Sequence, residues 1–542
     1  MDEKKINKII TYSFFSFYLF IGVFTLNDYG INIEEHTQIY SGFFWLNYVY
    51  EFFQIDFLKN EIADKLGEIT KDRDLPNPKI FTYGPVFDLP TAFLDVLINS
   101  KDNFFKFQQR HILTFLFYFL SAIVFLKILL IRFKNFIVSF AGTLLYVFSP
   151  RIYGDSFHNN KDILFLSLVV LSIFFIIKIF RKSKTKHIIL FSLFAALSTS
   201  TRIFGLFLPI SLILFLFVDT INKKEKIVKK ILLIVSTYIF FLILHWPYLW
   251  EDPVNNFFNF ILKSKTWIFS YHILYDGNYL LTTGLPDSFL FKWIGISTPI
   301  FNLILFIFGA YLLYARFFNR LISIESKNDF RCDFWRSKKE MIDYFIIFNI
   351  TSILLLIVFL NVSFASGWRH LYYLNFFMIY ISTFCLSYSF LKFKKNHNIL
   401  KIIFIAFFSL NIYKIIIFHP YQSLYLNELV KKKNNYLIDR EGLTRLESIN
   451  KILSFEKEKK QVNLANSSFL PYYRIQDALS DKINNKIVFV GTDYSDADYI
   501  FNNFVYEVNP RFNDKYKIPQ NFEQIYILEI DGIKIYEIYK KY

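Results

Sequence analysis

Blocks of apolar residues long enough to cross a bilayer, separated by short segments that are alternately rich in lysine and arginine, constrain this chain more than any other feature. A spanning helix needs about 20 mostly apolar residues, and aromatic-rich ones can be somewhat shorter. Eleven segments meet that description: 9–26, 112–131, 136–150, 163–180, 187–201, 203–219, 231–245, 294–315, 344–361, 371–391 and 402–418. The 542 residues are 54% hydrophobic and 21% aromatic, and the apolar ones are gathered into these blocks rather than scattered. The fold class that follows is an α-helical polytopic membrane protein. The first run lacks a small-residue cleavage site and reads as a retained anchor.

The charges set the expected orientation. Lys4, Lys5 and Lys8 precede the first block, and every second connection is basic. These are Arg132 and Lys134; Arg181, Lys182, Lys184 and Lys186; Lys223, Lys224, Lys226, Lys229 and Lys230; the 316–342 stretch; and Lys392, Lys394 and Lys395. Under the positive-inside rule these lie in the cytoplasm. Segments 27–111, 149–162, 246–293 and 362–370, and everything after 418, then face the other side. The net charge of +16 is therefore a topology signal with anionic-lipid contacts, not a nucleic-acid footprint, since no soluble recognition module accompanies it. The two cysteines, Cys332 and Cys385, allow neither a disulfide framework nor a thiolate metal site.

After residue 430 the composition changes. "LTRLESINKILSFEKE" has helical spacing, "KQVNLAN", "KIVFVG" and "ADYIFNN" read as short strands, and "YILEIDGIKIYEIYKK" reads as a hairpin turning on Asp531-Gly532. Two domains are expected: a membrane domain over 1–430, and a small extracytoplasmic α/β domain over 431–542.

The polar motifs converge on the extracytoplasmic side. "NDYGINIEEHTQIY" presents Glu34, Glu35 and His36 just beyond the first span, and "FTYGPVFDLP" follows with Asp88. "SPRIYGDSFHNNKD" carries Arg151, Asp155, His158, Lys161 and Asp162. Arg202 sits in "STSTRIFG", Arg369 and His370 in "SGWRHLYY", and "HPYQSLYLNE" closes the last span. Taken singly, Arg202 and Arg369 read equally well as headgroup anchors, and Trp246, Trp250 and Trp368 as an interfacial aromatic belt. The nine histidines form no HExxH spacing, which argues against zinc. Together, ionisable residues at helix ends facing one compartment are costly unless they line a wet cavity. Carboxylates with arginines and a lysine suit an anionic lipid headgroup and a hydroxyl nucleophile. A departing lipid phosphate needs cations rather than a general acid, so one carboxylate base suffices.

In this order, "DYGINIEEHTQIYSG", "SPRIYGDSFHNNKD", "STRIFG", "SGWRHLYY" and "HPYQSLYLNE" resemble membrane glycosyltransferases of the GT-C type. More closely, they resemble the bacterial dolichyl-phosphate-mannose protein mannosyltransferase-like group, over about residues 9–430. The resemblance implies transfer of a sugar from a polyprenyl-phosphate-linked donor to an acceptor hydroxyl, with inversion, in the cytoplasmic membrane of a bacterium. It implies Glu34 as catalytic base with Glu35 beside it, the choice between them open because Glu stands where the family commonly has Asp. The second acidic position falls on Asp155 or Asp162, with Asp155 preferred, and donor phosphate on Arg369, Arg202 and Lys161. The partners implied are the lipid-linked donor, a glycan, lipid or protein acceptor, and membrane lipids. A divalent ion (Mg or Mn) among Glu34, His36 and Asp155 is allowed and not required. The region after "HPYQSLYLNE" lacks the family's Gly-rich aromatic run, so the acceptor class is not written. The competing class is a flippase or transporter of lipid-linked sugars, which should place ionisable residues in mid-span and show repeated halves; this chain shows no repeat.

The alternation of basic segments makes the topology testable. A reporter active only outside the cytoplasm should work when fused after residue 430 and fail when fused near residue 325. Activity at residue 325 and silence at residue 430 would reverse the orientation.

Overall fold

The computed structural model describes residues 2–71, 83–100, 102, 104–221, 227–266, 270–322, 334–360, 362, 364, 367–436, 439–456 and 460–542. Its helices are α1 (Glu3–Phe24), α2 (Ile33–Phe52), α3 (Lys59–Thr70), α4 (Asp88–Ile98), α5 (Phe105–Phe133), α6 (Phe136–Val147), α7 (Pro150–His158), α8 (Asn160–Arg181) and α9 (Thr185–Thr201). They continue with α10 (Phe207–Ile221), α11 (Val228–Leu244), α12 (Pro253–Thr266), α13 (Phe289–Ser297), α14 (Ile300–Ile322), α15 (Lys338–Leu360), α16 (Leu374–Lys392), α17 (His397–Ile417) and α18 (Arg445–Phe455).

Each of the eleven expected apolar segments falls mainly on helix, with 294–315 divided at 298–299 between α13 and α14. Among the described residues, seven helices are long and apolar enough to cross a membrane: α1, α5, α8, α14, α15, α16 and α17. The α6–α7 pair makes an eighth if counted as one span, although it bends by 60°. The bend is written in the sequence. Pro150 has no N–H to continue the α6 ladder, yet its fixed φ suits the first position of a new helix. The remaining expected spans are the apolar helices α9, α10 and α11, of 17, 15 and 17 residues. The protein is thus a helical polytopic membrane protein.

Polarity misled the reading of the connections. Residues 149–162, expected as a loop, are the buried helix α7 and the start of α8. The first connection holds α2, α3 and α4, and the third holds α12 and a hairpin, β1 (His272–Tyr275) with β2 (Asn278–Leu281). The expected basic segments are partly neutralised at their helix ends. Asp343 accepts from Arg132 Nε (2.6 Å), Arg316 Nη2 (2.6 Å) and Tyr380 Oη (2.8 Å).

After residue 430 the chain forms α18 and a five-stranded sheet. β3 (Val462–Asn466) lies between parallel β4 (Ile487–Gly491) and β5 (Tyr499–Asn502). β5 pairs antiparallel with β7 (Ile533–Lys541), whose hairpin partner is β6 (Phe522–Ile530). Asp531 and Gly532 both have positive φ, 52° and 78°, as a tight two-residue hairpin turn demands.

This unit is fastened to the entry of α2. Ile33 N donates to Glu441 O (2.9 Å). The buried Arg445 guanidinium donates to three carbonyls, Gly442 O (2.9 Å), Ile31 O (3.1 Å) and Pro471 O (3.3 Å). The backbones touch: a Cβ on Gly30 would lie 1.9 Å from Leu443 O, so only glycine fits there. The docking therefore carries residues 439–441 to the place where the first connection begins.

Candidate active site

The site is built first on the N-terminus of α2. Asn32 caps the helix by accepting from Glu34 N (3.0 Å), while Glu35 Oε1 accepts from Asn32 N (2.8 Å), a reciprocal capping box. Glu35 also meets His111 Nε2 at 3.2 Å and is 1% exposed. The adjacent carboxylates are thereby separated. Glu35 is turned into the protein and engaged, whereas the Glu34 side chain keeps 40% of its surface open and pairs with Arg369.

The second wall is the α7–α8 junction. Asn159 caps α8, and its Nδ2 donates to both Asp155 Oδ1 (3.2 Å) and Asp162 Oδ2 (3.1 Å). Tyr372 Oη donates to Asp155 Oδ2 at 2.7 Å. Arg202, in extended backbone at the end of α9, donates from Nε to Asp162 Oδ1 at 2.7 Å. Arg369 opens a short 3-10 turn and joins the pieces: besides Glu34, its Nη1 meets Glu441 at 3.1 Å and its Nε lies 3.9 Å from Asp162. Lys161 Nζ sits 3.5 Å above the Tyr83 ring and forms no ion pair among the described residues.

Electrostatics follows from these contacts. Burial alone would raise the Glu34 pKa, but the Arg369 guanidinium, by charge and hydrogen bond, with Arg440 and Lys161 nearby, brings it down to about 2. The carboxylate is firmly ionised in this state. Asp88, at the head of α4, is pushed up to about 6 by burial, with Lys161 and Arg110 opposing.

Glu34, Asp155, Lys161, Arg202 and Arg369 are thus brought into one cluster. His36 leaves it: Nδ1 bonds Asp477 of the C-terminal unit at 3.0 Å, and burial holds its imidazole down to about 4, neutral, against that partner. The possible metal set therefore changes. Among the described residues, the group close enough to share an ion is Asp155, His158 and Glu441, their ligand atoms within 4.8 Å of one another. Both His158 ring nitrogens are buried without a hydrogen-bond partner, as a ligand position would leave one of them. An imidazole with two carboxylates fits a divalent cation; Glu34 and His36 are not in the group.

Two other expectations are corrected. Trp246 and Trp368 are fully buried, and Trp368 Nε1 donates to Ser297 Oγ at 2.6 Å, so neither belongs to a lipid-facing belt. Arg202 and Arg369 are 8% and 6% exposed and held by carboxylates, so neither snorkels to headgroups. Sequence reading missed Arg440, Glu441 and Tyr372. An acidic and a basic residue some twenty positions past the last span carry no spacing that marks them.

An apolar cavity of about 250 Å³ opens between α14, α15 and α16, lined by Phe306, Ala310, Ile350 and Ile381. It shares Phe291 and Val358 with a second cavity of about 140 Å³ that reaches Phe364. The Phe364 ring is 6.0 Å from that of His370, next to Arg369.

Fold and cluster together define a polytopic membrane protein with an ionic cluster at one set of helix ends. Residues 104–250 match the family profile described as dolichyl-phosphate-mannose-protein mannosyltransferase. The match bears out, over those residues, the resemblance stated from the sequence. It covers Asp155, Lys161 and Arg202; Glu34, Arg369 and Glu441 lie outside it. No curated protein matches the chain. A similar solved structure is the apo oligosaccharyltransferase of Archaeoglobus fulgidus, at 13% identity and TM-score 0.39, covering 77% of this chain and 57% of that one. The chain thus spans little more than half that protein's length.

The split between the adjacent carboxylates has a thermodynamic consequence. Glu35→Ala removes half of the capping box and the His111 contact, and should destabilise the protein by about 1–2 kcal/mol. Glu34→Gln should cost less, since the amide oxygen still accepts from Arg369 and the guanidinium keeps Glu441 and Asp162. Equal losses in thermal melts of the two variants would contradict the assignment of Glu35 to the fold.

Proposed function

We propose that the protein transfers a sugar from a polyprenyl-phosphate-linked donor to an acceptor hydroxyl on the extracytoplasmic face of a bacterial cytoplasmic membrane. In this reading the N-terminus lies inside and the C-terminal unit outside. The observation that carries the proposal is the pairing of one water-reachable carboxylate, Glu34, with the buried Arg369 guanidinium. That is the equipment for an anionic leaving group beside a proton acceptor. The apolar cavities beside α15 support a lipid-borne donor, because the smaller reaches Phe364, whose ring lies 6.0 Å from that of His370, the neighbour of Arg369.

The chemistry balances with few groups. The acceptor oxygen attacks the anomeric carbon as the bond from that carbon to the phosphate oxygen breaks. The hydroxyl proton passes to Glu34, and the polyprenyl phosphate departs as an anion held by the surrounding cations. Attack from the face opposite the leaving group inverts the anomeric centre. A carboxylate with a pKa of about 2 is a poor base while Arg369 holds it. The donor phosphate competes for the same guanidinium, so donor binding releases Glu34 and raises its basicity when the acceptor arrives. Asp155, His158 and Glu441 would hold a divalent ion, which would add positive charge beside the leaving phosphate.

Glu34→Gln keeps shape and hydrogen bonding but cannot take the proton. With purified protein in nanodiscs and a polyprenyl-phosphate sugar, kcat should fall by at least about 10²-fold, and donor KM should stay level or drop because an amide competes less for Arg369 than a carboxylate. Near-normal turnover of Glu34→Gln would remove Glu34 from the mechanism.

A further inference from the structure

Two kinds of cation face this cleft. Arg202 and Arg369 are committed to carboxylates: Asp162 for the first, and Glu34 and Glu441 for the second. Arg440 is not. Among the described residues it has no ion pair; its guanidinium carbon lies 5.2 Å from the centre of the Tyr271 ring, and its buried Nη1 has no hydrogen-bond partner. Its place is fixed by the backbone. Glu441, its neighbour, accepts from Ile33 N (2.9 Å) through its carbonyl and from Arg369 Nη1 (3.1 Å) through its carboxylate. Arg440 is therefore one residue from a contact that is itself one residue from Glu34.

A ring face attracts a cation but accepts no strong N–H hydrogen bond, so the stacking orients the guanidinium without satisfying it. A buried, charged donor left unpaired is costly. A tetrahedral oxyanion removes that cost, because the planar fork of arginine can meet two phosphate oxygens at once.

We propose that Arg440, carried in by the segment that follows the last span, is a phosphate-binding residue of this cleft, one that takes a phosphate oxyanion without first giving up a carboxylate. The ligand class is a phosphate ester, the source being the lipid-linked donor. The inference rests on the transferase reading and sharpens it, because it moves the first phosphate contact from Arg369 to a residue outside the membrane core. Arg369 then engages as the phosphate settles and Glu34 is released.

The test is equilibrium binding of undecaprenyl monophosphate, and separately of inorganic phosphate, to the full chain in nanodiscs. Arg440→Ala should weaken binding of undecaprenyl monophosphate by about tenfold or more. Arg440→Lys keeps charge and stacking but loses the fork, and should fall between the two. Arg511→Ala, an exposed arginine on the C-terminal unit, should bind as wild type, which excludes a general charge effect. Loss confined to undecaprenyl monophosphate supports recognition of the lipid-borne phosphate, and loss for both probes supports recognition of the phosphate alone. Wild-type affinity in both Arg440 variants overturns the proposal while leaving the transferase reading intact. If the wild-type protein binds neither probe, the lipid-phosphate reading fails and the inference falls with it. Thermal melts accompany each variant, and Arg440→Lys alone decides the outcome should Arg440→Ala not fold.

Discussion

The Arg369 guanidinium is the contact on which the rest of the cleft depends. It is 6% exposed, at the end of a buried turn, and a charge so placed must be paired or it would cost several kcal/mol. Its partners come from three distant parts of the chain: Glu34 from the entry of α2, Asp162 from the start of α8 and Glu441 from the segment after the last span. Satisfying one buried cation therefore assembles the first connection, the membrane core and the C-terminal unit around a single point. The partners differ in what they can do afterwards. Asp162 is buried and shared with Arg202, Glu441 is mostly covered, and Glu34 is open to water. In the proposed reading, Glu34 is the carboxylate that an incoming anion displaces.

Docking of the C-terminal unit then becomes a condition of the site rather than an ornament. Arg445 and the Ile33–Glu441 backbone bond hold residues 439–441 against α2, and His36 reaches across to Asp477. A membrane core alone would leave Arg369 with one partner fewer and the cleft without Arg440. In the proposed transferase reading, the C-terminal region supplies charge to the chemistry.

Much of this was legible in the residues, and what was not has physical reasons. Apolar block length located the seven membrane-length helices, and short apolar runs with an Asp531-Gly532 turn located the C-terminal strands, because both patterns are local. Polarity marked where the chain leaves the apolar layer but not its backbone state, so 149–162 was written as a loop although Pro150 starts a helix there. Hydropathy gives depth and not facing, so Trp246 and Trp368 read as belt residues and are core. The carboxylate and arginine motifs were found, but their partners were not: nothing near Arg369 announces Glu441, seventy-odd residues away. Glu34 and Glu35 were indistinguishable in sequence because a capping box depends on where the helix starts. Arg440 and Glu441 belong to the site only through docking, a long-range event with no local pattern.

The account turns on a lipid-phosphate sugar being the substrate of this cleft. Its most direct test is the lipid fraction of the native membrane when the protein is removed. The account predicts accumulation of a polyprenyl-phosphate-linked monosaccharide, reversed by the wild-type chain and not by Glu34→Gln. An unchanged pool of lipid-linked sugars, with the chain's absence felt elsewhere, would contradict it.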